Sequence, residues 1–128
     1  MKYIWDTNMV IYYLQQQFPT AVEKFIDDLL TENQPCISVI TEIELLCWKT
    51  ANEKDLLVVR DFINDTLIIE LQSEIKSKTA EIRIHNRIKL PDAIIAATAL
   101  VYDLTLLTRN TTDFKQIGQL KVIDPFSL

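Results

Sequence analysis

L-P-D-A-I-I-A-A-T-A-L-V-Y-D-L-T-L-L, residues 90 to 107, decides the fold. Pro91 suits the first position of a helix. The run that follows to Tyr102 is apolar nearly all round, as a helix packed between a sheet and other helices must be. Residues 105–107 then read as a short apolar strand. Working outward, the same alternation fills the chain. Residues 2–5 read as a strand ending at Asp6, followed by helices over 8–17 and 21–30 that Pro19 separates. Residues 36–39 read as a buried strand, with helices over 41–48 and, after the turn A-N-E, over 54–63. Residues 66–70 form a third strand and 73–87 a long polar helix. Beyond the opening segment, a short helix near Asp113 leads to a last strand at 121–123. Strands alternating with helices in this way predict an α/β fold: a central, mainly parallel five-stranded sheet with helices on both faces and right-handed crossovers.

The 128 residues, 48% of them hydrophobic, fit one domain over 1–128, large enough to bury roughly 70% of the surface its unfolded form exposes. No repeat, low-complexity tract or Gly/Ser linker divides it, and the single glycine, Gly118, comes late. No apolar run approaches the roughly 20 residues that span a bilayer, and the start M-K-Y-I-W-D lacks the tripartite pattern of a signal peptide. A cytoplasmic protein without a membrane segment is expected. Cys36 and Cys47 each lie in an apolar segment without C-x-x-C or Cys/His spacing, and read as small buried hydrophobes.

The formal charge of −5 argues against tight binding to a phosphate backbone. Its distribution matters more than its sum. Five of the 13 basic residues, Lys76, Lys78, Arg83, Arg87 and Lys89, fall within 76–89, where Glu81 is the sole acid, a local balance of +4. On the polar helix, Lys76, Arg83 and Arg87 stand at i, i+7 and i+11 and would share one face, a candidate RNA-backbone stripe, although a solvated charged face explains them as well.

Four acids sit where a strand gives way to a helix or a helix begins: Asp6 in W-D-T-N, Glu44 in T-E-I-E-L-L, Asp92 in L-P-D and Asp113 in N-T-T-D-F. In open α/β sheets the ligand site lies beyond the carboxyl ends of the strands, so acids at such ends converge, and a converged carboxylate cluster calls for a divalent cation. Each acid also has a bland explanation. Asp6 can cap the helix after it, Thr41-x-x-Glu44 has the form of a capping box, Asp92 favours the positive end of its own helix, and Asp113 can pair with Asn110 across N-T-T-D. Glu42 and Glu44 lie about 200° apart on a helix, so only one of them can face a given site. Oxygen ligands without His or Cys suit Mg²⁺ or Mn²⁺, and the sole histidine, His85, is not needed. A metal-dependent phosphodiesterase is the function these residue types imply.

The motifs D-T-N at 6–8, S-V-I-T-E-I-E-L-L at 38–46, L-P-D-A-I-I-A-A-T-A-L at 90–100 and L-L-T-R-N-T-T-D-F at 106–114 resemble those of the PIN-domain family, and within it the VapC-like endoribonucleases, small single-domain toxins of bacterial and archaeal toxin–antitoxin pairs. The resemblance covers nearly the whole chain. It implies a PIN-like fold and a catalytic and metal-binding set of Asp6, Glu44, Asp92 and Asp113, with Asn8, Thr108 and Asn110 as polar neighbours. The family pattern T-x-x-E-L selects Glu44 over Glu42. Asp6 and Asp92 would be the principal ligands, and Glu44 and Asp113 would complete the shell directly or through water. An RNA substrate, structured or single-stranded, is implied, as are a homodimer and a cognate antitoxin whose C-terminal segment fills the groove, for which Ile11, Tyr12, Leu14 and Phe18 are candidate contacts; core packing explains these four equally well. Two glycines common in the family are missing: Cys47-Trp48 follows the E-L-L helix, and Asp103 precedes the T-R-N strand, which puts the local loop geometry in question. The rival readings are a non-catalytic PIN-like binding module, a housekeeping RNA-processing nuclease, and a haloacid-dehalogenase-type phosphatase. The last needs a second acid two residues after the first, where Asn8 stands.

Overall fold

The computed structural model describes residues 2–49 and 52–128. Ala51 of the expected A-N-E turn lies outside them. The order is β1 (Tyr3–Trp5), α1 (Thr7–Leu14), α2 (Thr20–Glu32), β2 (Cys36–Ser38), α3 (Val39–Leu46), α4 (Glu53–Asn64), β3 (Leu67–Ile69), α5 (Ser73–His85), α6 (Leu90–Val101), β4 (Thr105–Leu107), α7 (Thr111–Lys115) and β5 (Val122–Ile123), with a closing 3₁₀ turn at Pro125–Ser127 that the sequence reading missed. All strand pairings are parallel. The five strands hydrogen-bond in two groups, β1-β4-β5 and β2-β3, with β1 and β2 lying side by side between them.

Alternate residues of each strand feed two cores. Ile4, Cys36 and Leu106 face a cluster built on α5, α6 and α7, while Trp5, Ile37 and Leu107 face one built on α1, α2, α3 and α4. This is the period-2 alternation of a pleated strand with both faces covered. The apolar helix α6 is buried at every residue from Ala93 to Ala99, as its unbroken hydrophobic surface requires.

Helices α1 and α5 both end earlier than expected. Helix α1 stops at Leu14, not 17: Gln16 takes a left-handed φ of 55°, Gln17 N donates to Tyr12 O at 2.9 Å and Gln16 N to Tyr13 O at 3.1 Å, the double closure of a Schellman motif made without glycine. Helix α5 ends at His85, where Asn86 turns extended and its side-chain amide donates to Ile82 O at 3.0 Å. The glycine missing before β4 is replaced in function as well as in position. Asp103 takes φ 54°, and Leu104 N closes on Ala99 O at 2.8 Å. Its carboxylate pairs with Lys121 at 2.9 Å, tying the turn to the segment before β5. Cys36 is buried as expected, whereas Cys47 is exposed, because it caps the outer end of α3 instead of continuing its apolar face.

Candidate active site

Parallel strands bring their carboxyl ends to one edge, and the helices that follow them start there. Trp5 stands opposite Leu107 in the β1–β4 register, and Asp6 N extends that ladder to Leu107 O at 3.0 Å. Asp6 therefore sits at the strand ends, only 8% exposed. It is the N-cap of α1, accepting from Thr7 N at 2.8 Å, and its other oxygen accepts from the buried Thr108 hydroxyl at 2.7 Å. Capping and site roles coincide in one side chain. Burial pushes its carboxyl above the usual range, a rise that the Thr108 and Thr7 bonds counter and the charge of Glu44 reinforces.

The capping box expected at Thr41 and Glu44 is absent. Helix α3 begins earlier, capped by Ser38, whose hydroxyl accepts from Ile40 N at 3.1 Å. Thr41 is thus a buried residue inside the helix, and Glu44, freed from capping, points at α1, where Thr7 Oγ1 donates to it at 2.6 Å. The Thr7 and Thr41 hydroxyls are 3.1 Å apart. The Thr7 proton serves the shorter bond to the carboxylate, so Thr41 is the donor between the two hydroxyls. Thr41 is a site residue that sequence reasoning assigned to the helix end; the preceding serine, an equally good cap, was the signal for the alternative.

Asp92 stands in the first turn of α6, behind Pro91. Its carboxyl is pushed up to about 6, by burial first and then by the charges of Asp6, Glu44 and Asp113, against which Lys89 at the helix N-cap is the one opposing cation. All four predicted acids thus share one electrostatic site, and none of the three ion pairs among the described residues includes any of them. Asp113 is held from α7 by Asn110, whose side-chain amide donates to it at 3.0 Å, and Asn110 N donates in turn to Thr108 Oγ1 at 3.0 Å. Asn8 is exposed in the first turn of α1.

The donor chemistry fits a hard divalent ion: four carboxylates with hydroxyl and amide supports and an excess of negative charge. Among the described residues no three acids stand in a ready ligand group. Glu44 is exposed, and Asp92 and Asp113 are partly exposed, whereas Asp6 is buried.

The helix register drawn for the RNA stripe does not reach Arg87. Arg87 lies beyond the end of α5 and off its face, its carbonyl taken by Gln116, while Arg83 is turned to the chain itself, donating to Ile88 O at 3.2 Å. Lys76 and Arg83 remain exposed on α5, and Arg87 is exposed just beyond its end. Ile11, Tyr12, Leu14 and Phe18 are half-buried against the second core. Leu14 and Phe18 also line an open groove of about 720 Å³ between α1, α2 and α4, floored by Tyr13, Ile26, Leu30 and Phe62 and edged by Glu23, Asp27, Asp61 and Asp65. No described helix is long and apolar enough to cross a membrane.

An α/β fold with Asp6, Glu44 and Asp113 all within electrostatic reach of Asp92 defines a class of protein, and the PIN domain family model matches residues 3–120. The chain belongs to the PIN-domain family. It is similar to the tRNA(fMet)-specific endonuclease VapC of Shigella flexneri, 26% identical over 132 residues that cover 97% of this chain and 98% of that protein. Among solved structures it resembles DNA-bound VapBC from Salmonella typhimurium, with TM-score 0.84 and 25% identity over 98% of each chain. It also resembles a toxin–antitoxin complex from Klebsiella pneumoniae, with TM-score 0.78 and 29% identity over 97% of this chain and 98% of that one.

Proposed function

We propose that this chain is a Mg²⁺- or Mn²⁺-dependent endoribonuclease, the toxin of a toxin–antitoxin pair acting on cytoplasmic RNA. The observation that carries the reading is Asp92: a half-buried carboxyl raised to about 6 by burial and then by three neighbouring acids marks a site short of positive charge. Asp6 and Asp92 would hold the ion, with Glu44 and Asp113 completing its surroundings. When bound, such an ion supplies charge neutralisation and an activated water for phosphodiester hydrolysis. The protein's own part is orientation. Thr108 and the Thr7 amide fix Asp6, the Thr41–Thr7 pair aims Glu44, and Asn110 steadies Asp113.

Two further parts of the proposal concern partners. The acid-edged apolar groove suits an antitoxin segment with an apolar stripe and basic flanks, in keeping with the toxin–antitoxin complex among its structural relatives. Ile43 and Leu46, exposed on α3, give a homodimer an apolar face. The experiment is a calorimetric Mn²⁺ titration of the wild type and Asp92→Asn, paired with cleavage assays on structured and single-stranded RNA. Metal binding and cleavage, both lost in Asp92→Asn, are the expected result. RNA or protein binding without cleavage at any metal concentration would leave a non-catalytic PIN module, and an adjacent antitoxin reading frame separates a toxin from a housekeeping nuclease.

A further inference from the structure

Arg109 stands between Thr108 and Asn110, the two residues that hold Asp6 and Asp113, yet its own side chain runs away from them. Its guanidinium carbon lies 4.0 Å from the centre of the Phe126 ring and 5.5 Å from that of Tyr12. None of the described ion pairs includes it. The seat it occupies is itself well supported. The Phe126 ring meets Tyr12 and Phe18 edge to face, each at 5.7 Å between ring centres. Asp124 fixes the turn beneath it, accepting from Phe126 N and from the Ser127 hydroxyl, both at 2.9 Å. Thr108 N donates to Ile123 O at 3.0 Å, so the same C-terminal stretch grips the loop by backbone just before Arg109 grips it by side chain. Tyr12 completes the bridge from α1, the helix that Asp6 caps. Phe126 lies past residue 120, where the family match ends.

We infer that Phe126 and Arg109 are positioning residues, an aromatic–guanidinium clamp through which the C-terminal turn holds the 108–110 loop so that Thr108 stays on Asp6 and Asn110 on Asp113. The inference rests on the reading of Asp6 and Asp113 as working carboxylates. A guanidinium over an aromatic face gains from the ring quadrupole while its N–H groups stay in water. It can therefore tether an exposed loop without bringing another charge into the acidic site.

Amide hydrogen exchange of the metal-free protein tests the clamp without reference to catalysis. In Phe126→Leu and in Arg109→Gln, the Asn110 amide, which donates to Thr108, should exchange about tenfold faster, the order a cation–π tether supports. Ala96 and Ala97 in α6 should be unchanged, and Phe126→Tyr should restore protection. Unaltered exchange at Asn110, or equal acceleration at Ala96, overturns the clamp. In RNA cleavage with Mg²⁺, both variants should lower kcat and leave KM alone. A rise in KM confined to Arg109→Gln would instead make Arg109 a phosphate contact and overturn the inference. If the wild type cleaves no RNA, the ribonuclease reading fails, and the exchange data still decide the clamp.

Discussion

Asp6 and Asp92 belong to one site and are treated in opposite ways by the chain. Asp6, nearly sealed at the end of β1, receives a hydroxyl and a backbone N–H. Asp92, at the more open mouth of α6, has no hydrogen-bond donor among the described contacts and meets three other acids. The protein satisfies one carboxylate itself and leaves the other to be satisfied from outside. A buried carboxylate with two donors is a fixed point of the structure. A half-buried one amid like charges is an unmet electrostatic demand, which the cation of the proposed function would satisfy.

The largest test of this contrast is Asp92→Asn. The site loses its principal unsatisfied charge, and cleavage should fall by about 10³-fold, the effect of several kcal/mol of lost charge stabilisation. The fold should survive, as checked by circular dichroism. Cleavage within tenfold of the wild type, in protein free of contaminating nuclease, would remove Asp92 from the site. Thr108→Val attacks the other side of the comparison. The substitution keeps the side-chain shape and deletes the donor to Asp6 and the acceptor for Asn110 N. Because Thr108 is fully buried, no water readily replaces it, and urea unfolding should show a loss of about 2 kcal/mol. Mn²⁺ affinity should weaken by roughly 10- to 100-fold. An unchanged unfolding midpoint would mean that Asp6 does not depend on the protein's own donors.

The contrast also has a pH signature. With Asp92 at about 6 in the folded chain against 3.8 for the free side chain, the folded state holds the proton more tightly. The stability this gives is fully present below about pH 4 and is lost as pH rises through 6. Because the group is only half-buried, solvent screening keeps the effect to about 1 kcal/mol. Asp6 shifts in the same direction. The difference between wild type and Asp92→Asn in urea midpoint, measured without metal from pH 4 to 7.5, isolates the Asp92 share: the variant should gain on the wild type as pH rises. A difference that is flat with pH would show that neither burial nor the neighbouring acids raise Asp92.

Much of this was legible in the chain. Strand alternation and the all-apolar α6 follow from local patterns that burial then enforces, and Asp6, Glu44 and Asp113 all lie within electrostatic reach of Asp92. The departures come where a local rule had two solutions. Ser38 and Thr41 are both good N-caps, and the helix takes the first because Ser38 is where β2 ends, which places Thr41 inside the site. Gln16 and Asp103 adopt the left-handed conformation usually left to glycine, since a Schellman closure satisfies backbone groups enough to offset the strain. Arg87 leaves the helix register because helix spacing was carried past Asn86, which turns extended. The Arg109 seat was out of reach for a different reason: it joins residues 12, 109 and 126, and nothing in their spacing announces contact.

Thr7→Val makes the smallest and sharpest comparison, because the change of side chain matches Thr108→Val while the surroundings differ. Thr7 also donates to a site carboxylate, at 2.6 Å, but Glu44 is exposed and water can take the lost donor's place. What remains is the cost to Thr41, whose buried hydroxyl loses its partner. The stability loss should therefore be about 1 kcal/mol or less, and the fall in cleavage less than about tenfold, the low end for a residue that orients a ligand. Equal losses in the two variants would mean that burial is not what separates the fixed carboxylate from the movable ones. A gap between them is the measure of how much of the site the protein holds for itself.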